Sequence, residues 1–141
     1  VYDRFVAAAE SLVRAYVMGD PRDAATTLGP IAQPWHVAEL EAFVADATAK
    51  GARCVAGGRR ASVEGRGRFF EATLLEGVPE SARLMQGESF GPIVAVAKVR
   101  SDEEALARMN DSRLGLTASV WTSDRERADR MARRLEVGTV Y

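Results

Sequence analysis

Cysteine occurs once in these 141 residues, at Cys54, and histidine once, at His36. A single cysteine excludes a disulfide within the chain and suits a reducing compartment. A lone histidine with no cluster of Cys or Asp around it makes no metal site, so no metal ligand is assigned. Lysine is scarce: of 19 basic side chains only Lys50 and Lys98 are lysine, and the rest are arginine. Set against 20 acidic residues, they leave a net charge of −1. That balance gives no electrostatic reason to expect nucleic acid or a membrane surface as partner. No apolar run nears the length of a transmembrane helix, and no stretch reads as a signal peptide. Internal repeats, low-complexity tracts and linker-like segments are also missing.

What is present suffices for one packed domain. Hydrophobic residues make up 47% and charged residues 28% of the chain, a balance that favours a core over disorder. The sequence starts at Val1, not Met, already in a helical pattern, and stops in the strand-like "VGTVY". Both ends lead us to expect a piece of a longer protein.

Periodicity gives a coarse map. Tyr2, Phe5, Val6, Ala9, Leu12, Val13 and Tyr16 follow helical spacing to about Met18. Pro34 suits the first turn of a second helix, with Leu40, Phe43, Val44 and Ala47 inward and Gly51 at its end. "ARCVA" reads as a short buried strand closed by Gly57-Gly58. Arg59 to Arg68 is a polar, glycine-bearing loop of hairpin type. "FFEATLL" reads as one strand, and "PIVAVAKV" as another, apolar enough to be covered on both faces. Ser101 to Glu104 and Ser123 to Glu126 each carry a capping-box pattern opening a helix. The first of these helices buries Ala105, Leu106 and Met109; the second buries Ala128, Met131, Ala132 and Leu135. "TASVWT" lies between them as a strand, and "TVY" begins a last one. Strand and helix alternate over the second half, which predicts parallel pairing with right-handed crossovers. The fold class is α/β, a sheet covered by helices.

Most candidate chemical groups have plain structural readings. Cys54 lies in an apolar strand pattern with no histidine nearby, so it reads as inert core. His36 reads as a polar residue at a helix start. "GGRRASVEGRG" has neither the GxGxxG nor the GxxxxGK spacing of a phosphate cradle. Arg127, Arg130 and Arg134 share a helix face and read as solvated. Glu88 is different. It stands in "QGESFGPIVAV", just before a Gly91-Pro92 turn that opens into an apolar strand. Loops at strand ends of α/β sheets are where ligands dock. A carboxylate there is able to accept hydrogen bonds from a diol such as ribose.

Several stretches together resemble the aldehyde dehydrogenase superfamily: "LGPIAQP", "AKGARCVAGG", "GESFGPIVAV", "MNDSRLGLTASVWTSD" and "RLEVGTVY". The strongest is Glu88-Ser89-Phe90-Gly91-Pro92, which resembles the family's E-x-F-G-P signature. Asn110 to Leu116 resembles another family stretch, with Leu114 where Tyr or Phe is usual. The resemblance implies a three-layer sandwich with a mostly parallel sheet and helices on both faces. It implies that residues 1–141 are a partial catalytic domain, with the nucleophilic cysteine, the dinucleotide-binding domain and the oligomerisation strands outside them. No catalytic residue is then expected within the chain. The implied parent reaction is oxidation of an aldehyde to a carboxylic acid through a cysteine thioester, with NAD or NADP taking hydride. By resemblance Glu88 binds the nicotinamide ribose and Phe90 packs near the nicotinamide. The family's second helix also nears that ribose, around His36 and Glu39. These are not the Gln and Lys of some members, and no role is assigned to them. The implied parent is a cytoplasmic homodimer or homotetramer. The alternatives are an acylating or semialdehyde-specific member, and a non-catalytic dehydrogenase-like binding or assembly module.

Overall fold

Leu74 and Leu75 are neighbours in sequence, both essentially fully buried, and they face opposite ways. Both lie on β4 (Thr73–Glu76), and side chains alternate across a strand. Leu75 joins a cluster built on α2 (His36–Ala49), with Val37, Leu40, Phe43, Val44 and Ala47. Leu74 joins a second cluster with Val6 of α1 (Tyr2–Arg14) and Val55 and Ala56 of β1 (Arg53–Ala56). The sheet therefore lies between α1 and α2, which makes three layers. Burying one leucine in this way contributes about 1.5–3 kcal/mol. The computed structural model describes all residues 1–141, as two units, Val1–Lys98 and Val99–Tyr141.

In the first unit the sheet order is β1-β4-β5, with β5 at Ile93–Val96. β4 and β5 are parallel, in register Thr73↔Ile93 to Glu76↔Val96, and α3 (Arg83–Gln86) lies in their connection. β1 runs antiparallel to β4, so the sheet is mixed rather than parallel throughout. Several expectations are corrected. The first helix stops at Arg14, not near Met18. Thr27 Oγ1 takes the Val17 N–H at 2.8 Å, and Val17 O accepts from Thr27 and Leu28. The chain there leaves the helix to bridge Met18 to Leu28. Pro34 lies in the turn before α2, where His36 N–H donates to Gln33 O.

The segment 59–68 has the expected hairpin character, with two regular strands. It forms a hairpin of β2 (Arg60–Val63) and β3 (Arg66–Phe70). Glu64 and Gly65 both have positive φ, 51° and 75°, as a two-residue hairpin turn requires. "FFEATLL" is two strands, β3 and β4. Thr73 Oγ1 donates to Glu71 O at 2.7 Å and accepts from Gly58 N at 2.8 Å. That breaks the run where the chain changes partner from β2 to β1 and β5. β5 is an edge strand here, with Val94 55% exposed, so the expected cover on both faces is not seen within this chain.

The second unit carries α4 (Asp102–Asn110), β6 (Thr117–Ala118), α5 (Arg125–Ala132) and β7 (Thr139–Val140), with β6 and β7 parallel. Ser101 Oγ caps α4 by accepting from Glu104 N. The expected second cap shifts by one residue: Asp124, not Ser123, caps α5 by accepting from Arg127 N at 2.9 Å. Leu106 and Leu135 are the buried residues of this unit, whereas Met109 is exposed. The arginine face of α5 is not merely solvated. Arg127 meets Asp102 and Arg134 meets Glu103, each through two nitrogens, and Arg130 pairs with Glu126 along the helix.

Candidate functional site

The loop between α3 and β5 starts at Gly87 and turns at Pro92. Ile93 N–H donates to Gly91 O at 2.8 Å, and Thr73 N–H donates to Pro92 O at 2.8 Å. These two bonds fix the end of the loop to the start of β4 and β5. Gly91 lies flat against α2: a Cβ added there would collide with the methyl carbons of Leu40, which is itself fully buried. Only glycine lets the backbone come this close.

The loop presents Glu88 and Phe90 outward. Glu88 is exposed, and no partner within the chain holds its carboxylate. Phe90 is 81% exposed, and its φ is +48°. A bulky residue in the left-handed region is a true outlier, costing about 1–3 kcal/mol, and such strain gathers at ligand sites. Phe90, Gly91 and Pro92 form one wall of an open cleft of about 600 Å³. Leu28, Ile31 and Trp35 line it as well, and so does His36.

His36 is the residue whose role the sequence reading missed. Its Nε2 lies 2.8 Å from Ser89 O. A carbonyl only accepts, so Nε2 carries the proton and donates. Nδ1 is buried without a partner. Trp35 packs edge-on against the ring, with centroids 5.3 Å apart. No periodicity could have linked His36 to a loop 53 residues away. The available signal was a polar ring at the start of a helix whose other early residues, Val37 and Leu40, are core. Glu39 points to another task, pairing with Arg83 at 3.1 Å, while the Arg83 guanidinium also lies over the Phe43 ring.

Cys54 is half-buried at the edge of the core, not fully inside it as expected. Its thiol donates to Ala56 O at 3.4 Å and Gly57 O at 3.6 Å. Burial pushes its pKa up, and the nearby Glu71 carboxylate adds to that. An activated thiol needs the opposite shift. No helix is long and apolar enough to cross a membrane.

Comparison with known proteins identifies the family. The family model described as aldehyde dehydrogenase family matches residues 1–141. A succinate-semialdehyde dehydrogenase [NADP(+)] of Deinococcus radiodurans is 42% identical over 141 residues, covering 100% of this chain and 29% of that protein. Betaine aldehyde dehydrogenase from Staphylococcus aureus, solved in complex with NAD+, superposes with a TM-score of 0.92 at 35% identity, over 99% of this chain and 28% of that one. A Mycobacterium tuberculosis aldehyde dehydrogenase complexed with NAD+ gives a TM-score of 0.91 at 34% identity, over 99% and 29% of the two chains. The chain thus spans under a third of the length of these relatives. A match over every residue, together with the α/β architecture and the Glu88–Pro92 loop, means that the chain belongs to the aldehyde dehydrogenase family.

Proposed function

We propose that these residues are part of the catalytic domain of an enzyme that oxidises an aldehyde to a carboxylic acid with NAD or NADP. Within that enzyme the loop at Glu88–Phe90 would hold the nicotinamide end of the cofactor. The observation that carries this reading is the loop itself. Phe90 is strained and exposed on the wall of an apolar cleft, and Glu88, two residues before it, is exposed with no partner in the chain. These groups fit a nicotinamide riboside: an aromatic face for the ring and a carboxylate acceptor for the ribose diol.

When bound, the cofactor supplies a hydride acceptor. The chain's own residues bind and orient it. The Glu88 carboxylate accepts from the ribose hydroxyls, a charge-assisted pairing stronger than a neutral one. Phe90 excludes water from one side of the ring and limits its tilt. The sheet end behind them, tied through Pro92 O and Gly91 O, keeps both fixed while substrate turns over. Cys54 takes no part, so the cysteine that would form the thioester lies outside these residues. A thiol that must stay reduced suits a cytoplasmic enzyme, and a homodimer or homotetramer is the assembly to look for by sedimentation.

Semialdehydes are the substrates to assay first, because relatives at 42%, 36% and 40% identity are named succinate-semialdehyde dehydrogenases. The test of the site is Glu88→Gln in the full-length protein. A hydrogen bond to a charged group contributes about 1.5–3 kcal/mol, so cofactor affinity or single-turnover hydride transfer should fall about tenfold or more, at unchanged melting temperature. Wild-type values for both would leave Glu88 a solvated loop carboxylate and end this reading.

A further inference from the structure

We propose that α2 positions the Glu88–Phe90 segment, with His36 as the positioning residue; this deepens, and rests on, the reading of that segment as the cofactor contact. His36 and Leu40 are one helical turn apart, so they lie on one face of α2. His36 donates to Ser89 O, and Leu40 packs so closely under Gly91 that no Cβ fits. Phe90 is the residue between them. It is therefore gripped on both sides, and that is the place where the backbone adopts φ +48°. Strain of this kind persists only where the surroundings over-determine it, and the two contacts from α2 do so. His36 thus acts through Ser89, setting where Phe90 and Glu88 stand.

The test uses the full-length protein in three variants. His36→Phe keeps the ring and removes the donor. His36→Gln places an amide N–H at about the reach of Nε2. Glu88→Gln tests the underlying reading. Without any cofactor, amide exchange is followed at Ile93, whose N–H closes the turn on Gly91 O. Loss of one hydrogen bond predicts exchange about five- to tenfold faster in His36→Phe. With cofactor, single-turnover hydride transfer should slow about tenfold in His36→Phe, while the KM for aldehyde stays within about twofold. His36→Gln should return both readouts to within about twofold of wild type, which a merely space-filling role would not do. Should His36→Phe fail to fold, His36→Asn, whose amide falls short of Ser89, takes its place with the same expectations. Unchanged Ile93 exchange and hydride transfer in His36→Phe, or a His36→Gln variant as impaired as it, would overturn the proposal. Wild-type hydride transfer in Glu88→Gln removes the cofactor reading alone, and Ile93 exchange then still decides whether His36 holds the loop.

Discussion

Gly91 and Cys54 show how single residues divide between site and scaffold. Gly91 has no left-handed backbone; its constraint is purely the space left by Leu40. Gly91→Ala should therefore force either the loop or a fully buried leucine to move, at about 1–3 kcal/mol of overpacking. The loss should appear in the melting temperature and, if the loop yields, in cofactor affinity. By contrast a Cβ at Gly65 meets nothing within 4 Å, so Gly65→Ala carries only the strain of its positive φ. If Gly91→Ala melts like wild type and binds cofactor normally, the close packing on α2 is not a constraint. Cys54→Ala should cost about 1 kcal/mol as a small core truncation and leave turnover of the full-length enzyme intact. A folded Cys54→Ala variant with turnover lower by orders of magnitude would mean that the thiol is the nucleophile. The partial burial of Cys54 was legible in its apolar neighbours, because strand burial is local information. The bond from His36 to Ser89 was not, because only folding brings those residues together.

Helices α4 and α5 carry the clearest electrostatics of the molecule. Asp102 and Glu103 lie in the first turn of α4, where the helix dipole favours negative charge. Arg127 reaches Asp102 from α5, and Arg134, just past the end of that helix, reaches Glu103 at 2.5 and 2.6 Å. The arginine hydrogen bonds, opposed by some desolvation, hold both carboxyls below their ordinary values of 3.8 and 4.5. A carboxyl with a lowered folded pKa stabilises the fold above its ordinary value. That contribution is lost as pH falls through the lowered value. The double variant Asp102→Asn, Glu103→Gln should therefore melt below wild type at pH 7, and the gap should close as pH drops below about 4. High salt should narrow it as well, because these pairs face solvent. A gap independent of pH would assign the loss to packing instead. Asp124→Ala, which removes the cap of α5, should cost about 1 kcal/mol. The helical spacing of Arg127 and Arg134 was readable in sequence. Their partners were not, since spacing within one helix says nothing about which carboxylates a second helix presents. The misplaced cap has a similar cause: Ser123 and Asp124 are both good capping residues, and the order of preference between them is slight.

At the scale of the whole molecule, the alternation of strands and helices made the α/β class legible, and Leu74 and Leu75 show why the first unit forms three layers. The direction of β1 was hidden, because a four-residue strand pairs either way. What these residues contain also bounds what they do alone. They hold one cysteine, with its thiol turned to the carbonyls of Ala56 and Gly57 and its pKa raised by burial. Thioester chemistry needs a thiolate, and the raised pKa of Cys54 keeps it a thiol. The purified 141-residue chain should accordingly produce no reduced cofactor from any aldehyde with NAD or NADP, while the full-length protein does so. Absorbance of the reduced nicotinamide measures this directly. Turnover by the 141-residue chain that disappears in Cys54→Ala would show that the nucleophile is inside these residues after all.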